Sequence, residues 1–274
     1  MQTGYYAGFF LAATLNYTVG AHFGWRAMFL TGIVPVVVAI LILLRVKEPE
    51  RWAQKEGAAA GPKKSPLKEI VSGSYRRRTI VNASLLTVAI IGLWAGAVYE
   101  PAAVTQLAIK AGMSRPDAAR MASLATGILA IGTILGCLAL PPLAERIGRR
   151  KTLAFYFVGM AVSIALSFGW AFHMENGLWP FVALLFVLGF FGGNFALFSL
   201  WLPEQYPTSV RATAFAFCTS VGRFIGAGVN FALGAMVLHM GSLGTPVALT
   251  SIAFILGLLI IPFALETHGK TLPS

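Results

Sequence analysis

The apolar and polar positions of this chain sort into long apolar blocks separated by short polar ones. Eight blocks approach the twenty or so residues needed to cross roughly 30 Å of hydrocarbon at about 1.5 Å per residue. They run over residues 4–19, 25–44, 79–108, 118–140, 152–172, 179–202, 212–238 and 246–265. Each predicts a spanning helix, so the expected fold class is all-α, a polytopic membrane helix bundle of eight transmembrane helices. The first block lacks a basic start and a cleavage site, and another block follows within a few residues. It therefore reads as a spanning helix rather than a signal peptide.

Composition agrees with a bilayer as solvent. With 57% hydrophobic and 11% charged residues and a mean hydropathy of +0.75, a water-soluble domain could not cover itself with polar groups. The net charge of +11 does not indicate nucleic acid, because the basic residues sit in loops between apolar blocks, where they set orientation. Ten Lys and Arg lie between Arg45 and Arg78, four in the turn ERIGRRK (residues 145–151), and two more at Arg211 and Lys270. The alternate side holds four, Arg26, Lys110, Arg115 and Arg120. The richer side is expected to be cytoplasmic, together with both termini, in the plasma (cell inner) membrane. Residues 47–78, with the core GAAAGPKKSP, read as a cytoplasmic linker too polar and too interrupted to fold alone.

GxxxG pairs at Gly4/Gly8, Gly92/Gly96, Gly132/Gly136, Gly189/Gly193 and Gly222/Gly226 predict close helix contacts, since they remove side-chain bulk from one face. Cys137 and Cys218 lie inside apolar blocks and read as small packing residues, with no disulfide framework. The four histidines (His22, His173, His239, His268) show no metal-ligand spacing, and no phosphate-binding glycine loop occurs. An enzyme is not indicated, and neither a cofactor nor a metal is implied.

Polar groups stranded in the apolar blocks are the candidates for function, because a charge at mid-bilayer costs at least about 2.5–3.5 kcal/mol. Arg223 lies near the middle of block 212–238. Helical spacing puts Thr219, Gly226 and Asn230 on about the same face, a stripe able to hold a carboxylate through a bidentate guanidinium contact. The alternative is a structural pair locking this helix to a neighbour. Glu100 precedes Pro101, where the helix is expected to bend or break and expose polar backbone. It reads either as a proton-coupling carboxyl or as a solvated group at the outer interface. Asn194 either binds substrate or bonds a neighbouring helix. Trp94 and Tyr99 either line the same cavity or pack, and Thr126 and Thr133 could bond their own backbone carbonyls.

Several segments resemble the major facilitator superfamily, in the metabolite:proton symporter branch of sialate, aromatic-acid and monocarboxylate carriers that neighbours the sugar porters. GWRAMFLTGIVP (residues 24–35) resembles the start of the family's sixth helix, and VKEPERW (46–52) the acidic segment after it. AERIGRRK (144–151) is similar to the basic motif between the eighth and ninth helices, WLPEQYPTSVRAT (201–213) to the loop after the tenth, and ETHGKTLP (266–273) to the exit from the twelfth. Pro141 and Glu145 stand where the family has glycine and aspartate. The resemblance implies that residues 1–46 are the last two helices of an N-terminal half and 79–274 a complete C-terminal six-helix half, with the first four helices absent. It further implies alternating access, with a small organic acid or a sugar as substrate and a proton as coupling ion. Glu145, Arg146, Arg149 and Arg150 would latch the cytoplasmic side, with Glu204 and Arg211 as a second pair. The basic residues could equally serve orientation and anionic headgroups. A non-transporting fragment that works with a missing N-terminal segment is the remaining alternative.

Overall fold

The computed structural model describes residues 2–46 and 65–270. The segment after Val46, most of the expected linker and the last four residues lie outside the described residues, among which every regular element is helical. α1 (Gln2–Leu15) passes through a π-helical turn (Asn16–Gly20) into α2 (Ala21–Thr31) and then α3 (Ile33–Arg45). This stretch, Thr3–Arg45, is 43 residues long, which at 1.5 Å per residue reaches about 65 Å, twice the hydrocarbon thickness. Gly24 (φ 79°, ψ 177°) interrupts it with backbone geometry that only glycine adopts easily. The break falls between the two spans expected from hydropathy.

A short helix, α4 (Pro66–Val71), leads to α5 (Arg76–Lys110), 35 residues long, which accounts for the block at 79–108. α6 (Arg115–Ile147) starts at Ser114, whose hydroxyl accepts from the Asp117 N–H at 3.3 Å and donates to its carboxylate at 2.6 Å. That cap occupies one of the orphan donors of the first turn. Gly148, at φ 91°, turns the chain into α7 (Arg149–Ile164), which runs on through π- and 3-10-helical turns to His173. α8 (Leu178–Gly192) and α9 (Phe195–Trp201) are one span interrupted at Gly193 and Asn194. α10 (Arg211–Met240), α11 (Gly244–Leu249) and α12 (Ser251–Ile260) complete the chain. Six stretches among the described residues are long and apolar enough to cross a membrane, Thr3–Arg45 counting as one of them.

Two glycine-mediated contacts organise the bundle. α6 lies against α8, where a Cβ on Gly132 or Gly136 would come within 2.3 or 1.9 Å of the Phe186 or Phe190 carbonyl oxygen. α10 lies against α5 through Gly222 and Gly226, over Thr87 and Ile90. Both were expected from the GxxxG pattern. Gly4 and Gly8 differ: nothing approaches within 4 Å of a Cβ built on either, so this pair makes no helix contact among the described residues. α7 and α12 close the back of the bundle, with Phe157, Phe168, Phe181, Phe198 and Phe254 fully buried. α1 packs on α6, where Asn16 Nδ2 donates to Ser123 Oγ at 2.8 Å. α3 buries no residue.

Candidate functional site

The Gly148 turn is the centre of a charged cluster at one end of the bundle. Glycine at positive φ swings the chain so that Arg149 opens α7 while its side chain folds back under the loops. The guanidinium is buried, 6% exposed. It donates to Glu204 Oε1 and Oε2 at 2.9 and 3.2 Å, to Glu145 Oε1 at 2.8 Å and to the Ala144 carbonyl at 3.0 Å. The two-point contact with Glu204 is the bidentate geometry that a planar guanidinium offers and an ammonium does not. Thr267 Oγ1 also donates to Glu204. The Glu204 side chain is 15% exposed and that of Glu145 62%, so the stronger half of the cluster is the one shielded from water.

Glu266 closes the cluster from the segment that follows the last helix. Its carboxylate accepts the backbone N–H of Arg149 (3.1 Å), Arg150 (3.0 Å), Thr267 (3.1 Å) and His268 (3.1 Å), and so caps α7 with a negative charge where the helix dipole favours one. Burial pushes the carboxyl up, but the N–H groups of Arg150, His268, Arg149 and Thr267 outweigh it and hold Glu266 below the usual carboxylate range. A depressed pKa stabilises the fold above the unfolded value of about 4.3, and that contribution disappears as pH falls through the lower folded value. Glu266→Gln is therefore expected to lower the thermal unfolding midpoint at neutral pH and to flatten its fall below about pH 4, measured on detergent-solubilised protein. An unchanged acid limb would refute the assignment.

Two expectations about this end need correction. Glu204 does not pair with Arg211. It is taken by Arg149, and Arg211 Nε donates instead to the Tyr206 carbonyl at 3.2 Å, because the PEQ turn points its carboxylate away from α10. Arg146 is exposed and has no ion pair or hydrogen bond among the described residues. Arg150 joins the cluster through its backbone, and its guanidinium donates to the Ile261 and Pro262 carbonyls.

A second network was not anticipated. Asn82 and Gln205 exchange amide hydrogen bonds at 3.0 and 3.3 Å, both 1% exposed. Tyr206 OH meets Thr79 Oγ1 at 3.0 Å, and Arg78 donates to the Gln205 carbonyl at 3.2 Å. Adjacent residues of one turn thus reach opposite ways, Glu204 to α7 and Gln205 with Tyr206 to α5. The available signal was Asn82, an amide inside an apolar block.

Among the substrate candidates, Arg223 stands on α10 one residue from Gly222, about 100° around the helix from that packed glycine. It is exposed and carries no ion pair or hydrogen bond among the described residues. The structural pair considered for it is therefore not formed. Phe224, Phe231 and Leu238, 81–87% exposed, mark the outermost face of α10, and Arg223 lies on the flank beside it with Asn230. Thr219 is buried and its hydroxyl has no partner. Tyr99 OH donates to the Asn230 carbonyl at 3.1 Å, and the Trp94 ring lies about 3.5 Å from a Cβ built on Gly226.

Glu100 is 1% exposed, which removes the reading of a solvated group. Thr126 Oγ1 lies 2.9 Å from its Oε2 and 2.9 Å from the Ala122 carbonyl, its single proton shared between the two acceptors, while Oε1 has no partner among the described residues. The break expected at Pro101 does not occur. α5 runs through it as helix, with Thr105 Oγ1 donating to the Pro101 carbonyl at 2.7 Å. Asn194 is buried at the α8–α9 interruption, donating to the Phe191 carbonyl of its own span, with Oδ1 unpartnered. Among the described residues it bonds no neighbouring helix. No hydrogen bond or ion pair joins Arg223, Glu100 and Asn194 to one another among the described residues.

A cavity of about 240 Å³ opens between α1, α5, α6, α7 and α8. Tyr5, Tyr6, Phe9 and Trp94 supply aromatic walls, and Met160 and Thr133 close it. The Thr133 hydroxyl is committed to the Leu129 carbonyl at 2.8 Å. The space is thus bounded mainly by rings and aliphatic groups, and its other side-chain polar groups are the two tyrosine hydroxyls and the Trp94 indole N–H.

The family model described as "Sugar (and other) transporter" matches residues 64–274. The chain is 29% identical over 287 residues to a "Probable 4-methylmuconolactone transporter" of Cupriavidus pinatubonensis, covering 98% of this chain and 61% of the relative. It is 26% identical to a niacin transporter of Acinetobacter baylyi, covering 97% and 64%. With the cis,cis-muconate transport protein of the same organism it shares 27% identity, covering 89% and 57%. The chain spans about three fifths of the length of these curated relatives. On the match over residues 64–274, the chain belongs to the sugar (and other) transporter family of the major facilitator superfamily.

Proposed function

We propose that this protein moves a small organic acid across the cell inner membrane by alternating access, coupled to protons. The observation that carries the reading is Arg223, a lone cation halfway along an apolar helix with no partner among the described residues. A permanently charged group at that depth needs a counter-charge or water, and a substrate carboxylate supplies the first. Asn230 and Thr219 flank it. Relatives named for muconate and niacin transport suit an acid and one named for glucose transport suits a sugar; a cavity poor in side-chain hydroxyls supports the acid, since a sugar would leave its own hydroxyls unpaired there.

Glu100 serves as the proton site. Its Oε1 is buried with no hydrogen-bond partner, and no charged side chain is bonded to the carboxyl, among the described residues. The basic loops lie on the cytoplasmic side with the C-terminus, and the Arg149 cluster holds that side closed. The test is binding of radiolabelled benzoate and glucose to the purified chain in lipid nanodiscs between pH 5.5 and 8. Benzoate is expected to bind and to weaken as pH rises, and Glu100→Gln to bind it with no pH dependence. Glucose binding with no benzoate binding would overturn the reading in favour of a sugar or polyol porter.

One observation favours a second reading, in which the chain acts only with a helical partner: α3 is apolar along its whole length and buries nothing. Benzoate binding without uptake into proteoliposomes would select it.

A further inference from the structure

Three glycines line the 240 Å³ cavity, Gly92, Gly189 and Gly192, and they are glycine for different reasons. A Cβ on Gly92 would lie 2.1 Å from Phe254 Cζ, and one on Gly189 2.1 Å from the Leu129 carbonyl oxygen. Both are kept bare by their neighbours. Gly192 is not. The nearest atom to its Cβ position is Thr133 Oγ1 at 3.9 Å, an ordinary contact distance, and its φ is not among the positive values. Neither packing nor backbone conformation requires glycine there, and a helical position is otherwise better served by alanine. What the missing side chain provides is room, on the wall facing Thr133.

From this geometry we infer that the space at Gly192 receives the apolar body of the bound acid, and that Gly192 sets the largest ring the protein accepts. The occupant is argued from the walls. Tyr5, Tyr6, Phe9 and Trp94 offer ring faces and edges to a flat apolar group, while polar bodies find few partners. A volume of about 240 Å³ falls just under the roughly 300–1,000 Å³ of pockets for drug-sized ligands, which suits a small flat acid. The inference rests on the organic-acid reading for the carboxylate alone, since the ring subsite works whether or not the ligand is charged.

The experiment uses three probes on the full chain in nanodiscs: benzoate, its neutral counterpart benzyl alcohol, and the two-ring naphthoate. Wild type is expected to bind benzoate and benzyl alcohol measurably. Gly192→Ala is expected to weaken benzoate about threefold and naphthoate about tenfold or more, and Gly192→Val to weaken all three by at least about tenfold, through overpacking. Thr133→Ala on the opposite wall, combined with Gly192→Ala, is expected to restore naphthoate binding, a rescue that a folding defect would not give. Wild-type affinity for benzyl alcohol in Gly192→Val, or no binding of either one-ring probe to wild type, overturns the inference. Should wild type bind benzyl alcohol as tightly as benzoate while Gly192→Val loses both, the subsite stands and the organic-acid reading fails instead.

Discussion

Arg149→Leu is expected to destabilise the protein by about 3 kcal/mol or more, the usual cost of removing one partner of a buried ion pair. Glu204, whose side chain is 15% exposed, would keep only the Thr267 hydroxyl, while the Ala144 carbonyl would lose the Arg149 donor and keep the Gly148 N–H. The desolvated carboxylate left behind, more than the lost attraction, makes the effect large. Glu145→Gln is the internal control. Its side chain is 62% exposed, and solvent screening leaves an exposed pair little effect on stability. Reversible unfolding in sodium dodecyl sulfate reads both variants. Equal, small shifts for Arg149→Leu and Glu145→Gln would mean that the cluster is a surface feature and no latch.

The second large effect is expected at Arg223. Alanine there removes the one basic side chain near the middle of an apolar block, Arg26 and Arg120 lying at block ends, and benzoate affinity is expected to fall about a hundredfold, equivalent to about 2.8 kcal/mol. Lysine keeps the charge but not the planar fork, so Arg223→Lys is expected to lose about tenfold. Benzyl alcohol, which has no carboxylate, is expected to bind all three proteins alike. Unchanged benzoate binding in Arg223→Ala would remove the anion site from this helix.

The spans were legible because a block of some twenty apolar residues has few other stable settings than a bilayer, and because basic loops separate the blocks. Gly132, Gly136, Gly222 and Gly226 were legible too, each marking a place where another helix arrives. Gly4 and Gly8 show the limit of that signal, since the spacing records which face is small and not whether a neighbour covers it. Pro101 shows another. Loss of one backbone donor was expected to bend or break α5, but α5, packed against α6 and α10, stays helical through Pro101.

Pairing was where sequence reasoning went astray. Arg149 stood out by its setting in a basic turn, yet its main partner lies 55 positions away on another loop, and charge proximity along the chain suggested Arg211 for Glu204 instead. Asn82 and Gln205, 123 positions apart, carry no charge and follow no spacing rule. Their complementarity exists only once the PEQ turn sits against α5. Glu100 was visible as an oddity, but only burial distinguishes a coupled carboxyl from a solvated one. Gly192 belongs to no GxxxG pair, and its significance depends on what a side chain there would meet.

The reading depends most on Arg223 facing water inside the bundle rather than lipid outside it. In a background of Cys137→Ser and Cys218→Ser, which replaces both native thiols, Arg223→Cys and Phe224→Cys should be treated with a membrane-impermeant thiosulfonate in sealed vesicles. The expected result is rapid modification at position 223 and none at position 224, whose side chain lies on the outermost face of α10. Equal inertness at the two positions would place residue 223 against acyl chains and contradict a shared aqueous pathway.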